Sequence, residues 1–172
     1  MVRWSILVLL AGLALAGCGS SPRLAGGSDI ECAPYARQTS GLQLYGDAAA
    51  WWDEAAGQYA RTDHPQPGAV LVFRASGRLP HGHVSVVRQV QSGREITVTQ
   101  ANWVHHRIAR EEPVVDVSAD NDWTSVRVWW APSGQLGTTV YPTYGFVGPA
   151  GVPPSDRVAA AECPVGIDLP KG

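Results

Sequence analysis

An α+β fold with a mainly antiparallel sheet is predicted by the order in which patterns occur along the chain. Helical signals gather before Pro65, and β-branched and aromatic runs gather after it. The two kinds do not alternate as they would in a parallel α/β sheet. At 172 residues, 45% apolar and 16% charged, the chain has room for one domain with a sizeable core.

The first helix is read from "SDIECAPYARQTSG", residues 28 to 41. Proline is tolerated only in the first turn of a helix, so Pro34 places Cys32 at the amino end, and Gly41 supplies the stop. A second helix is expected from Asp47 as cap through about Ala60, because Trp51, Ala55 and Tyr59 recur every four residues and form one apolar stripe. Five strands follow: "AVLVF" (69 to 73), "HVSVVRQV" (83 to 90), "REITVTQ" (94 to 100), "PVVDV" (113 to 117) and "TSVRVWW" (124 to 130). They are separated by turn formers such as Ser92-Gly93. Residues 149 to 172 are rich in proline and glycine and read as a loosely held tail.

Residues 1 to 17 carry Arg3 and then an unbroken apolar stretch from Ile6 to Gly17. The stretch is too short to span a bilayer and fits the apolar region of a secretory signal. It ends in Leu15-Ala16-Gly17-Cys18, which resembles the bacterial lipobox; the resemblance implies that Cys18 is acylated and becomes the mature amino terminus. Multiple acyl chains suffice for stable attachment. The glycine- and serine-rich residues 19 to 28 then form a tether reaching at most ~35 Å. The expected location is the bacterial cell envelope, at the outer membrane facing the periplasm, since the lipoprotein pattern reserves Asp at position 19 for inner-membrane retention and this chain has Gly19. Loss of Arg3 leaves twelve basic against fifteen acidic residues, so the lipid and not charge does the anchoring. No basic run or aromatic-basic interleaving is present to follow a phosphate backbone, so nucleic acid is excluded as a partner.

Cys32 admits three readings. At a helix amino terminus its thiolate is favoured by free amides and the helix dipole, with Asp29 and Glu31 opposing, which suits a nucleophile. It is otherwise half of a disulfide with Cys163 in an oxidising compartment, or a small buried side chain. A nucleophilic cysteine needs an imidazole within reach and a third group to hold that imidazole in one tautomer. In "GHVSVV", His83 opens a strand. In "ITVTQANW", Ile96, Val98, Gln100 and Asn102 share parity and point to one face if the strand continues, so that an amide at its far end can orient His83. His81, His83, His105 and His106 lack the partner spacing of a zinc site.

"CAPYAR", "GDAAAWW", "PGAVLVF", "GHVSVV" and "QANW", in this order, resemble the CHAP domain, a papain-like cysteine amidase/peptidase module acting on peptidoglycan. The resemblance spans about residues 29 to 148. It implies a papain-like fold with short N-terminal helices on the sheet, Cys32 as nucleophile, His83 as general base and then acid, Asn102 as orienting residue, and the Cys32 amide in the oxyanion hole. Many members carry an acidic residue two places before the asparagine; this chain has Gln100 there, a possible support. Trp51, Trp52 and Trp103 are candidates for a substrate groove. The reading is a membrane-anchored, monomeric peptidoglycan hydrolase needing neither metal nor organic cofactor. The alternatives are a non-catalytic wall-binding or scaffold lipoprotein of the same fold, and an amidase acting on a small soluble amide.

Overall fold

The computed structural model describes residues 30–149. The signal segment, Cys18, the tether, and the tail with Cys163 after Pro149 lie outside the described residues. Helix α1 (Cys32–Ser40) is followed by a 3-10 turn (Ala48–Ala50) running directly into α2 (Trp51–Glu54). Eight strands come next: β1 (Arg61–Thr62), β2 (Val70–Phe73), β3 (His83–Ser92), β4 (Glu95–Ala101), β5 (Ile108–Asp116), β6 (Ser125–Trp130), β7 (Gln135–Leu136) and β8 (Tyr141–Val147). Every pairing is antiparallel, in the order β1-β8-β2-β3-β4-β5-β6-β7. β8 also pairs with β6, with Val126 opposite Tyr141, so the six strands β8, β2, β3, β4, β5 and β6 close into a barrel.

Closure gives the sheet two environments, and the continuous apolar run of β2 serves both. Val70 and Val72 face outward beneath the helical layer, where Ala36, Leu42, Leu44, Trp51 and Ala55 cover them. Leu71 and Phe73 face the barrel interior with Ile96, Val98, Val114, Trp123, Val126, Val128 and Phe146. Strand alternation therefore reads apolar on both faces here, as expected for a strand covered on both sides. Helix α1 packs across β3 and β4. It is tied down by the Tyr35 hydroxyl at 2.7 Å from Thr99 Oγ1, and by Arg37 Nε donating to the Leu44 carbonyl at 2.9 Å. Gly41 closes it in the left-handed conformation, φ +79°, its amide bonded to the Arg37 carbonyl.

Several sequence expectations are corrected. The second helix does not reach Ala60; a single α turn forms, and the chain leaves it through turns around Gly57, whose φ is +73°. Asp47 makes no side-chain cap, because its carboxylate is bonded instead to His81 Nδ1 at 3.0 Å. The strand expected at 113 to 117 starts earlier, at Ile108, and β8 has no counterpart among the five strands read from the sequence. Pro142 and Gly145 interrupt its pattern, yet it closes the barrel. Among the described residues no helix is long and apolar enough to cross a membrane.

Candidate active site

Cys32 is the first residue of α1, where helical amides have no partner inside the helix. His83 is the first residue of β3 and is 4% exposed. Gly82, with φ +72°, makes that entry feasible. A Cβ there would lie 2.6 Å from the Phe73 carbonyl and 2.7 Å from Ala49, so only glycine lets the chain pass between β2 and the 3-10 turn. Cys32 and His83 line one cleft of about 470 Å³, together with Glu31, Asp47, Arg78, His81 and Asn102.

The imidazole is fixed on several sides. Its ring meets Phe73 edge-on at 5.4 Å and Trp103 at 5.0 Å between centroids. Its Nε2 lies 2.9 Å from Gln100 Oε1, and the Gln100 amide nitrogen donates to Glu112 Oε2 at 2.7 Å. With its NH2 committed to a carboxylate, Gln100 offers only its carbonyl oxygen to the ring. Nε2 therefore carries the proton, and Nδ1 keeps its lone pair.

This corrects the expectation for Asn102. Ile96, Val98 and Gln100 do share the interior face, but the strand ends at Ala101 and Asn102 adopts φ +61°. Strand parity fails there. The Asn102 side chain donates to Glu31 Oε2 at 3.2 Å and accepts from the His106 amide at 3.0 Å, organising the following turn. Asn102 still lines the cleft, whereas the partner of His83 is Gln100.

Electrostatics at rest favour two neutral groups. Burial pushes the Cys32 thiol above its ordinary value, the Glu31 charge adds to this, and the amides of Val84, Ala33 and Cys32 pull the other way without winning. Burial likewise lowers His83 to about 4, against the opposing effect of the hydrogen bond that its Nε2 donates to Gln100. The thiolate that the helix terminus alone would favour is thus outweighed by desolvation. Cys32 is a free thiol among the described residues. Among those residues no cluster of three or more His, Cys, Asp or Glu is placed to hold a metal.

Beyond His83 the cleft continues as an aromatic trough lined by Arg78, Leu79, Trp103, Trp130 and Tyr141, and runs on to Thr138 and Thr139. Trp103 thus stands where a groove residue should. Trp51 and Trp52 do not: Trp51 is fully buried in the core beneath the helices, and Trp52 stacks on Tyr144 at 5.7 Å under the Arg61 guanidinium. An apolar stripe on a short helix serves packing first. Sequence reasoning missed Trp130, Tyr141 and Glu112. The first two sit on β6 and β8, far in sequence from the cysteine. Glu112 stands in an unremarkable acidic pair whose inward turn depends on a bulge.

Residues 24–102 match the family model of the CHAP domain. Among solved structures, the chain is similar to an N-acetylmuramoyl-L-alanine amidase from Staphylococcus aureus, at 22% identity and a TM-score of 0.41, over 66% of this chain and 30% of that one. It is also similar to Ly7917, at 18% identity and a TM-score of 0.37, over 69% of this chain and 53% of that one. The chain therefore spans less than two thirds of either structure. No curated protein sequence matches it. Residues 24–102, the part of the chain similar to the CHAP domain, are also the part that brings Cys32, His83 and Gln100 together.

Proposed function

We propose that the protein hydrolyses an amide bond of peptidoglycan through a Cys32 thioester. One observation carries the reading: Cys32 at a helix amino terminus shares a cleft with an imidazole whose Nε2 is engaged by Gln100, leaving Nδ1 as a proton acceptor. The CHAP family match supports the substrate class.

Because both groups rest neutral, proton transfer accompanies attack and no ion pair waits for substrate. Nδ1 of His83 takes the thiol proton as sulfur adds to the carbonyl carbon. The tetrahedral oxyanion is met by the Cys32 amide at the start of α1. The imidazolium protonates the leaving nitrogen, the C–N bond breaks, and a thioester remains. Water, deprotonated by His83, then releases the acid and restores the thiol. Since the leaving amine must lie on the His83 side, it occupies the aromatic trough, while the acyl part lies toward Glu31 and Asp47.

The proposal includes a lipid anchor at Cys18 and an outer-membrane location facing the periplasm, supported by the Leu-Ala-Gly-Cys ending of the apolar stretch. Cys18→Ala should abolish acylation; wild-type protein recovered without lipid in soluble fractions would overturn this part. For the chemistry, purified sacculi are incubated with the detergent-solubilised chain, and released fragments are read by mass spectrometry. Wild type should release fragments and Cys32→Ala none, with the new termini naming the bond cut. Release by Cys32→Ala at the wild-type rate, or none by wild type, would overturn the reading in favour of a wall-binding protein.

A further inference from the structure

The Glu112 carboxylate is a buried charge-bearing group that the mechanism above does not use. It is 6% exposed, and among the described residues no cation forms an ion pair with it. Burying a carboxylate without a cationic partner is costly, so its position calls for a reason. The backbone is shaped to put it there. Between the pairs Val98 with Glu112 and Gln100 with Ala109, β4 advances two residues and β5 three, so β5 carries one extra residue. Glu111 sits in that bulge with φ +55°, a conformation unfavourable for a residue bearing a Cβ. Arg110 and Glu111 are consecutively exposed, and after them Glu112, Val114 and Asp116 all turn inward. The bulge re-phases the strand and delivers the Glu112 carboxylate to the Gln100 amide at 2.7 Å.

We propose that Glu112 is a positioning residue for the imidazole, holding His83 in the tautomer that accepts a proton at Nδ1. An isolated glutamine is a poor orienting group. Its amide can present either oxygen or nitrogen to the ring, and the flipped form would accommodate the tautomer protonated at Nδ1, which cannot take a proton from the thiol. Glu112 removes the ambiguity because a carboxylate accepts only from the NH2 end. It also places negative charge behind the amide, where an imidazolium formed during turnover is favoured. The chain thus combines a neutral contact to His83 with a carboxylate one step further out, on the next strand.

The rate arm of the test rests on the hydrolase reading, whereas the tautomer arm does not. The full chain in detergent, labelled with 15N-histidine, is examined by two-bond proton–nitrogen correlation, which distinguishes the two ring tautomers. Wild-type His83 should be protonated at Nε2 alone. Glu112→Gln, nearly isosteric, should give a mixture and lower kcat for fragment release by roughly 10²-fold with little change in KM, because the wrong tautomer is inert. The double variant Gln100→Glu/Glu112→Gln transfers the carboxylate to the ring-facing position with an amide behind it. It should restore a single Nε2-protonated tautomer and most of kcat. Gln100→Glu alone should not, since it sets two buried carboxylates against each other.

A wild-type ring protonated at Nδ1 would overturn the proposal. So would an unchanged tautomer and kcat in Glu112→Gln, or a folded double variant no better than the single one. If Glu112→Gln fails to fold, as read by near-ultraviolet circular dichroism, the wild type and the double variant still decide. Expected tautomers in chains that release no fragments would leave the positioning role standing and overturn the hydrolase reading instead.

Discussion

Gln100 and Asn102 exchange importance once His83 is seen to bond Gln100, and two substitutions test this. Gln100→Ala removes the acceptor of the imidazole proton and leaves Glu112 buried without its donor, so it should slow fragment release by about 10²-fold. Asn102→Ala loses a bond to Glu31 and the turn contact to His106, and should cost much less. A larger loss in Asn102→Ala in the same sacculus assay would reverse the assignment. The His83 shift from its ordinary 6.5 to about 4 has its own consequence. The folded state disfavours the proton that the unfolded chain takes up below 6.5, so the stabilisation is complete above 6.5 and is lost as pH falls from there toward 4. It amounts to about 3 kcal/mol. Urea unfolding of wild type at pH 7 and pH 4.5 should show this drop, and His83→Gln should show a smaller one. The raised thiol pKa predicts that iodoacetamide alkylates Cys32 at neutral pH more slowly than it does a free thiol; fast alkylation would indicate a preformed thiolate.

Among the elements, the entry to β3 is the narrowest tolerance in the site. Gly82→Ala combines a positive φ with contacts below 3 Å to backbone atoms of β2 and the 3-10 turn, neither of which can yield like a flexible side chain. It should destabilise the domain by at least ~1 kcal/mol and displace His83, lowering kcat beyond what the stability loss explains. Unchanged melting and turnover would count against the tight entry. The trough formed by β6, β8 and the turn after β4 belongs to this scale too. Trp130 is 42% exposed and lines it, so Trp130→Ala should raise KM more than it lowers kcat and leave the fold intact. A fall in kcat with KM unaltered would remove the trough from substrate binding. The same elements show where sequence was readable. The cysteine at the start of α1, the histidine opening β3 and the shared face of Ile96, Val98 and Gln100 follow from proline placement and period-two alternation, both local rules. Asn102 escaped because a positive φ at a strand end breaks that alternation. Glu112 escaped because a bulge does, and Trp51 reads as a groove candidate although it is core because an apolar stripe does not tell a wall from a groove.

At the scale of the molecule, the barrel joins distant parts of the chain. Strand β2 is flanked by β3, which is near in sequence, and by β8, which is not: Val70 lies opposite Val147 and Leu71 opposite Phe146. The last strand therefore covers what would be an open edge beside β2 and supplies Phe146 to the interior. The match to the family ends at residue 102, before β5, β6 and β8. A polypeptide shortened to that segment would contain Cys32, His83 and Gln100 but lack Val114, Trp123, Val126, Val128 and Phe146 of the interior. It should remain unfolded and fail to protect its amides from hydrogen exchange. Because contacts of such long sequence separation form late, a chain emerging amino end first must hold its reactive thiol in an unstructured state until about residue 147 is available. The assembly of the cleft is thereby deferred to the completion of the domain, and every shorter intermediate of its synthesis lacks the pairing of thiol and imidazole.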